Sequence, residues 1–203
     1  MPAKHTVTVA ITGASGFRYG LRLVECLLQA GSRVFLLVSE AARAVAIHEE
    51  SLLIPGQTSV MAEFFQQRFN VEGDQLQVFA AQEWTAPIAS GSALVDAMIV
   101  CPCSSGTLAA IANGLSNNLI ERAADVMIKE QRRLILVPRE MPLSAIHLEN
   151  MLKLARLNAV IMPASPGFYH QPNTIEDLVD FVVARILNIL GVEQKLLAPW
   201  GLL

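Results

Sequence analysis

A glycine-rich turn near the start of the chain has the residue types that hold anions. In "ITGASGFRYG", Gly13, Gly16 and Gly20 follow an apolar run and precede an amphipathic stretch. Backbone amides and the positive end of a helix dipole attract anions at such a turn. The spacing is G-x-x-G-x-x-x-G, which is neither the dinucleotide fingerprint nor a nucleotide triphosphate loop. The turn therefore predicts an anion site, with close packing alone as the alternative.

A second turn of this kind follows a later apolar run. In "CPCSSGT", Ser104, Ser105, Gly106 and Thr107 offer three hydroxyls and free amides where a helix is expected to begin. An ordinary helix N-cap explains one of these hydroxyls and explains all three poorly. Ser39 also follows an apolar run. Ligands of open α/β sheets bind beyond the carboxyl ends of the strands, so we expect a small, neutral phosphate cradle there.

Basic side chains in two predicted helices are candidates for binding an anion. Arg122 and Lys129 are seven residues apart with Asp125 between them, which fits either a solvated, salt-bridged face or an anion site. Arg185 lies in the apolar segment "DFVVARILNIL", with no acid one turn away on either side. An unpaired buried guanidinium is costly. We therefore expect Arg185 to be buried against a phosphate or a partner-subunit acid rather than to extend to the surface.

The elements that must position these residues alternate along the chain. Short apolar runs predict strands, and amphipathic stretches predict helices. The predicted strands are 6–12, 33–39, 75–79, 96–102, 133–138 and 158–163, and the predicted helices are 18–30, 40–50, 59–69, 105–114, 118–131, 144–157 and 174–190. Such alternation is typical of a mostly parallel sheet with helices on both faces. We expect a single α/β three-layer sandwich over 1–203, with a C-terminal tail from about 192.

Composition limits the classes of function. Hydrophobic residues make up 53% of the 203 residues and the mean hydropathy is positive, so we expect a homo-oligomer, with a large parallel-sheet core as the alternative. The formal net charge of -3 provides no general electrostatic reason to expect nucleic acid. The first apolar run is brief and opens into glycines, which indicates neither a signal peptide nor a membrane span and favours the cytoplasm.

Cysteine and histidine usage argues against disulfide and metal sites. Cys26, Cys101 and Cys103 cannot form a disulfide framework, and "CPC" lacks a second cysteine pair for zinc. The four histidines are scattered without ligand spacing. We expect buried, reduced thiols and no metal.

Several separate segments together resemble one family. The segments "ITGASG", "CPCSSGTLAAIANGLSNNLIERAADV", "PREMPL", "HLENM" and "PASPGFYHQP" look like the UbiX/Pad-type flavin prenyltransferases, from about residue 6 to the end of the last helix. The part "SSGTLAAIANGLSNNL" alone also resembles the flavin-dependent cysteine decarboxylases, which share the flavodoxin-like FMN fold. The resemblance implies a flavodoxin/Rossmann-like form of the predicted sandwich.

The resemblance implies a transfer reaction without a metal. Reduced FMN and dimethylallyl phosphate would be joined through flavin N5 and C6 with loss of inorganic phosphate, giving prenylated FMN for a UbiD-type decarboxylase. Positive side chains must then take up the charge that a metal would otherwise neutralise. The family also implies an active site between subunits of a trimer-based homo-oligomer, commonly a dodecamer.

The resemblance also assigns roles to residues. The residues implied to bind the cofactor are Gly13, Ala14, Ser15, Ser39, Ser104, Ser105, Gly106, Thr107, Arg122 and Arg139. Those implied to bind the substrate phosphate are Lys129, Arg139, Tyr169 and Arg185. Those implied to take part in catalysis are Ser15, Glu49, Glu140 and Trp200. Glu49 ends a predicted helix, where the negative end of the dipole favours a protonated carboxyl, whereas Glu50 is expected to be merely exposed. Trp200 would stabilise a developing allyl cation through its π face.

One stretch departs from the family pattern. Phe17 and Arg18 follow "GASG" where small or aliphatic residues are expected, so Arg18 would either add charge near the FMN phosphate or point into an interface.

Other functions stay open at this point. An FMN carrier is one alternative. A flavin-dependent decarboxylase is another, although its catalytic histidine and its asparagine-methionine clamp are not found. A nicotinamide-dependent reductase ranks last, because the chain lacks the Tyr-x-x-x-Lys pair of such enzymes.

Overall fold

A computed structural model describes residues 5–198 and 201 of the chain. In this part, six strands form one sheet: β1 (Thr6–Ile11), β2 (Arg33–Val38), β3 (Leu76–Val78), β4 (Ala97–Cys103), β5 (Arg133–Pro138) and β6 (Val160–Ile161). The central strands are almost continuously apolar. Residues of this kind are favoured where helices cover both faces of a parallel sheet.

The order of the strands creates a switch point at the centre of the sheet. The order is β3-β2-β1-β4-β5-β6, and every neighbouring pair is parallel. The chain builds outward from β1 to one edge, returns, and builds outward from β4 to the other. The direction reverses between β1 and β4, where Val7 pairs with Ala97 and Ala10 with Val100. Doubly wound sheets bind ligands at this point, beyond the carboxyl ends of the strands.

Helices cover both faces of the sheet. In the described residues they are α1 (Phe17–Gln29), α2 (Glu40–Glu50), α3 (Thr58–Phe69), α4 (Ser105–Ala112), α5 (Leu119–Lys129), α6 (Ala145–Ala155) and α7 (Ile175–Leu190). The helices α1, α2, α3 and α7 pack on one face, around Phe17 and Phe65. The helices α4, α5 and α6 pack on the other, around Leu108, Leu119 and Leu154. Alternate strand side chains point to opposite faces and so supply both cores.

Polar side chains mark the starts of several helices. Ser39, Ser104, Asn118, Ser144 and Thr174 each accept a hydrogen bond from a backbone amide of the first turn that follows. Such caps satisfy amides that have no partner inside the helix. They concentrate hydroxyl and amide groups where helices begin, which is also where the ligand site of this architecture is expected.

The predicted α/β three-layer sandwich is confirmed, with a parallel sheet, helices on both faces and flavodoxin/Rossmann-like strand order. The largest differences lie at the sheet edges. The strand predicted at 75–79 spans three residues and the one predicted at 158–163 spans two. An edge strand has a pairing partner on one side only, so its pairing ends sooner.

The described residues can be searched for membrane-spanning helices, metal-binding groups and reactive thiols. No helix in 5–198 is long and apolar enough to cross a lipid bilayer. Within the same range, no group of three or more His, Cys, Asp or Glu side chains is arranged to hold a metal ion. The three cysteines are free and buried, as predicted. Burial raises the pKa of Cys26 to about 11 and that of Cys103 to about 12, so these thiols are protonated near neutral pH and are poor nucleophiles.

Candidate active site

Four turns bring polar groups to the carboxyl edge of the sheet. They are residues 13–15 after β1, Ser39 after β2, residues 104–107 after β4 and residues 139–140 after β5. These four strands are neighbours in the sheet, so the turns lie side by side around the switch point. The candidate active site is this edge.

The turn after β4 is held by its own hydroxyl groups. Ser104 Oγ accepts from the Thr107 amide at 3.2 Å and donates to Thr107 Oγ1 at 3.0 Å. A Cβ added to Gly106 would meet no described atom within 4 Å, so packing within the chain does not require glycine there. The open space beside Gly106 fits a ligand that lies against the backbone of the turn. We call residues 104–107 the cradle.

Thr12 ties the cradle to the glycine turn. It is 1% exposed, and its Oγ1 donates to the Pro102 carbonyl at 2.8 Å and accepts from the Ser104 amide at 2.8 Å. Sequence reasoning missed this residue, although a threonine between an apolar strand and a glycine turn is a usable signal. Its hydroxyl fixes the first residue of the cradle relative to the end of β1.

Arg139 places a cation at the same edge. Its amide donates to the Cys103 carbonyl at 3.4 Å, so the residue follows the pairing of β5 with β4. The Arg139 Nε is buried and has no hydrogen-bond partner among the described residues. A buried guanidinium donor without an acceptor is unfavourable. An anionic ligand would supply that acceptor, so the residues present fit a phosphate-bearing cofactor.

Glu140 lies beside the cradle. Its carboxylate accepts from the Ser105 hydroxyl at 3.3 Å and from the Met141 amide at 3.2 Å. The residue is exposed to solvent. A carboxylate within hydrogen-bond distance of a cradle hydroxyl can accept or deliver a proton at this edge.

The amides at the start of α1 already hold an anion, which is the carboxylate of Glu49. The Gly16 amide donates to the two Glu49 oxygens at 2.9 and 3.1 Å, and the Phe17 amide donates to Oε2 at 3.0 Å. The expectation considered only the dipole of Glu49's own helix, and the structure adds the start of a second helix. Glu49 belongs to the last turn of α2, but its carboxylate lies at the positive end of α1, which attracts negative charge.

The glycines of this turn have identifiable structural reasons. Gly16 has φ of 101°, a conformation that side chains other than glycine rarely adopt. A Cβ on Gly13 would come within 2.4 Å of the Ala41 Cβ, because the start of α2 packs against the turn. Ser15 is exposed between them, next to the amides that hold Glu49. The turn therefore brings Ser15 and Glu49 together, as a pair of candidate proton carriers.

Two other expectations for this region also change. Glu50 is not merely exposed: its side chain is 18% exposed, and it pairs with Arg18 at 2.8 Å. Arg18 also pairs with Glu176 at 2.6 Å. Phe17 is fully buried in the core. The departure from the family pattern is therefore one core residue and one ion-paired residue.

Arg122 is engaged within its own chain. Its Nη1 pairs with Asp125 at 2.7 Å, and its Nε donates to the Ala89 carbonyl at 3.0 Å. Neither group belongs to the cradle. Of the two interpretations of this helix face, the salt-bridged one describes the single chain.

Lys129 lies far from the cradle in the same chain. It ends α5, shortly before β5 begins, and it pairs with Glu130. Because α5 runs antiparallel to the strands, its last residue lies at the amino edge of the sheet. The cradle and Arg139 lie at the carboxyl edge. One chain therefore does not bring Lys129 and Arg139 together.

Tyr169 and Arg185 lie on a third surface, along α7. The Tyr169 ring packs edge to face against Phe181, with ring centroids 5.5 Å apart. Arg185 lies one helical turn beyond Phe181 on the same face of the helix. Both Tyr169 and Arg185 are exposed in the single chain. In the single chain Arg185 does not snorkel from a buried position: the fully buried residues next to it, such as Val182 and Ile186, lie on other faces of α7, and burial against a phosphate or a partner-subunit acid stays a prediction.

The predicted catalytic residues thus fall into two groups. Ser15, Glu49 and Glu140 lie in turns or helix ends at the carboxyl edge. Trp200 lies outside the described residues.

Comparison of sequences places the chain among known proteins. The model of the Flavoprotein family matches residues 1–187. The protein named flavin prenyltransferase UbiX from Pseudomonas aeruginosa is 55% identical over 201 residues, which cover 99% of this chain and 96% of that protein. The protein of the same name from Halalkalibacterium halodurans is 49% identical over 198 residues, covering 98% and 94% of the two chains.

Comparison of structures agrees with the sequences. A crystal structure of AnUbiX (PadA1) in complex with FMN and dimethylallyl pyrophosphate has a TM-score of 0.84 and 38% identity, covering 97% of each chain. A dodecameric FMN-dependent UbiX-like decarboxylase from Escherichia coli O157:H7 has a TM-score of 0.83 and 38% identity, covering 97% of this chain and 99% of that one. The chain belongs to the Flavoprotein family and, within it, to the UbiX family of flavin prenyltransferases.

Proposed function

We propose that the chain is a flavin prenyltransferase that joins the dimethylallyl group of dimethylallyl phosphate to N5 and C6 of reduced FMN. The observation that supports this most directly is the Arg139 Nε beside the cradle, which is buried and has no hydrogen-bond partner among the described residues. A cation next to hydroxyls and helix-start amides suits a phosphate-bearing ligand. The names of the 55% identical relative and of the FMN complex favour flavin and an allyl phosphate among such ligands.

The residues proposed to hold FMN surround the switch point. They are Gly13, Ala14, Ser15, Ser39, Ser104, Ser105, Gly106, Thr107 and Arg139. Reduced FMN supplies the nucleophilic nitrogen for the transfer. The chain contributes hydroxyls and amides fixed by rigid strand ends, which orient a ligand without a large entropic cost. Arg122 would contribute from a neighbouring copy, since its contacts in the single chain lie outside the cradle.

Positive side chains would stabilise the leaving phosphate without a metal. The proposed phosphate ligands are Lys129, Arg139, Tyr169 and Arg185. In the transfer, N5 bonds to the allyl carbon as the bond from that carbon to the phosphate oxygen breaks, and the N5 proton leaves. The second bond uses up the allyl double bond: one of its carbons takes up a proton, the other bonds to C6, and C6 loses its proton. Glu140 beside the cradle and Glu49 beside Ser15 are the carboxylates proposed to carry protons, and Trp200 is proposed to stabilise the developing allyl cation.

The proposed phosphate ligands lie on separate surfaces of one chain, so we propose that neighbouring copies complete the site. Helix α5 has 11 residues. At 1.5 Å per residue, Lys129 is about 15 Å along the helix axis from the first residue of α5. No side-chain movement closes that gap within one chain. Copies that present Lys129 and Arg185 to a neighbour's cradle would bring the four ligands together.

Apolar surface supports such an assembly. Met141 is 85% exposed and Ile146 is 67% exposed, and Leu152 and Phe168 are also exposed. Exposed apolar residues in this number are typical of surfaces that bury against another protein. A trimer-based dodecamer is the assembly we propose, in line with the name of the Escherichia coli structure.

We further infer the setting of the reaction. The relatives' name, UbiX, suggests that prenylated FMN is passed to a UbiD-type decarboxylase. Buried free thiols suit a reducing compartment, which favours the cytoplasm. The single sheet supports one flavoprotein domain over residues 1–203.

Anaerobic product analysis tests the proposed function. The full chain is incubated with reduced FMN, a chelator and either dimethylallyl phosphate or dimethylallyl pyrophosphate. The mass of the released flavin is then measured by mass spectrometry. A flavin heavier by one five-carbon unit in either arm is expected. Unmodified flavin in both arms would overturn the proposal and favour an FMN carrier.

A further inference from the structure

Three helix ends meet at the side chain of Arg18. Its Nε donates to Glu50 Oε1 at 2.8 Å, and its Nη2 donates to Glu50 Oε2 at 3.3 Å. Its Nη1 donates to Glu176 Oε1 at 2.6 Å. Arg18 lies in the first turn of α1, Glu50 is the last residue of α2, and Glu176 lies in the first turn of α7. One guanidinium therefore connects all three helices.

Glu49, the residue before Glu50, is the one whose carboxylate is held by the glycine turn. Glu49 accepts from the amides of Gly16 and Phe17, and Glu50 accepts from the side chain of Arg18. Two successive side chains at the end of α2 are thus bound by the first turn of α1. The helix stops immediately afterwards, at Ser51 with φ of 51°. The position of the Glu49 carboxylate therefore depends on how the end of α2 is held.

The positive charge of Arg18 allows several carboxylates to lie close together at the end of α2. Glu49, Glu50 and Glu176 bring three carboxylates to one place, and like charges at short range repel. Arg18 contacts two of them directly. The hydrogen bond with Glu50 raises the pKa of Arg18 above its ordinary value, so the cation persists at every working pH. Without it, the end of α2 would carry adjacent carboxylates opposed only by the amides of α1.

A second ion pair between the same helices serves as a built-in comparison. One turn along α1, Arg22 pairs with Asp180 of α7 at 2.7 Å and with Glu25 at 2.7 Å. This pair also links α1 to α7, but neither acid belongs to α2. Removing Arg22 should therefore disturb the α1 and α7 contact without releasing the end of α2.

We propose that Arg18 is a positioning residue for Glu49: by binding Glu50 and Glu176, it keeps the end of α2 and the start of α7 against the glycine turn. The inference rests on the proposed function, in which Glu49 carries a proton beside the flavin. Arg18 itself does not touch the reacting atoms. Its effect should therefore fall on turnover rather than on substrate binding.

The test compares variants of the full chain in the anaerobic transfer assay. In Arg18→Gln, turnover should fall by roughly tenfold, because a displaced proton carrier slows the transfer. The KM for dimethylallyl phosphate and the Kd for FMN should stay within about twofold of the wild type. Arg18→Lys should restore only part of the rate, since an ammonium lacks the planar fork that binds two carboxylates. The control Arg22→Gln should keep the wild-type turnover.

Glu50→Gln provides a second variant and a coupling measurement. It should lower turnover in the same direction, and the double variant Arg18→Gln/Glu50→Gln should be no slower than Arg18→Gln alone. Arg18→Gln turning over as fast as Arg22→Gln, or losses that simply add in the double variant, would overturn the inference. A wild type that makes no prenylated flavin would instead overturn the proposed function, so the two failures are distinguishable.

Discussion

Thr12 and Ser104 are 92 residues apart in the sequence, and the Ser104 amide donates to Thr12 Oγ1 at 2.8 Å. The same oxygen donates its proton to the Pro102 carbonyl. The end of β1 and the start of the cradle are therefore one hydrogen-bonded unit. That unit lies at the switch point of the sheet, so the placement of the cradle depends on a buried residue that need not touch any ligand.

Thr12→Val tests this relationship. The substitution keeps the shape of the side chain but leaves the Ser104 amide without its acceptor. We expect a loss of roughly 2 kcal/mol in the free energy of unfolding, the usual cost of an unsatisfied buried group. FMN affinity should fall as well. Thr8→Val, at an equally buried position of β1, is the matched control and should leave FMN affinity unchanged. Equal FMN affinities in the two variants would contradict the role of Thr12.

Arg139→Met should have opposite effects on the free chain and on ligand binding. Removing a buried donor that lacks an acceptor within the described chain should leave the melting temperature unchanged or raise it. The stabilisation by added FMN should shrink, because the phosphate loses a charged partner. Thermal melts with and without FMN measure both effects, with exposed Arg156→Met as the control. A large drop in the melting temperature of the free chain would show that Arg139 is structural.

Gly106→Ala separates folding from binding at a single position. The added methyl group meets open space in the chain, and alanine is the better helix former, so the free energy of unfolding should rise by roughly 0.5 kcal/mol. FMN binding should weaken by about 1–3 kcal/mol, because the methyl group would overpack against a ligand on the cradle. Fluorescence titration with FMN measures this. Unchanged affinity would mean that the flavin does not lie against Gly106.

Mixing subunits tests whether copies share the active site. Lys129→Ala and Arg139→Ala should each abolish most transfer activity alone. If Lys129 and Arg139 of different copies act together, unfolding and refolding the two variants as a mixture should restore some activity, because some sites then receive both wild-type residues. The mixture is compared with each variant refolded alone. A mixture as inactive as its components would contradict a shared site.

The buried thiols predict a loss of stability at alkaline pH. Burial raises the pKa of Cys26 to about 11, above the value of roughly 8.5 for an unfolded thiol. As the pH rises, thiolates therefore form first in the unfolded chain. The contribution of the buried thiol to the free energy of unfolding is complete below about pH 8 and is lost as the pH rises towards 11. Urea denaturation should show a fall of about 1 kcal/mol per thiol between about pH 8 and pH 9.5. Cys26→Ala should flatten this slope, and an unchanged slope would contradict the assignment.

The carboxyl edge was predictable from sequence because strands, turns and caps are local features. An apolar run followed by Gly, Ser or Thr marks a strand end, and parallel strands place such ends together. The exposure of Arg185 in the single chain was not predictable in this way. It depends on which face of α7 meets α1, and a stretch as apolar as that around Arg185 does not reveal that face.

Tertiary placement explains the remaining differences. The position of Glu49 depends on the start of a different helix, which an argument from its own helix dipole ignores. Thr12 acts through a residue 92 positions away, and no local pattern predicts that contact. Lys129 and Arg139 are near in sequence but lie at opposite ends of the sheet, since the intervening strand β5 spans it.

The stoichiometry of a single anaerobic turnover tests the central claim most directly. Reduced FMN bound to the full chain is treated with isotopically labelled dimethylallyl phosphate in a chelator, and both the released flavin and the inorganic phosphate are quantified. We predict one labelled five-carbon unit on each modified flavin and one phosphate released with it. Phosphate release without labelled flavin, or flavin recovered unmodified, would contradict it.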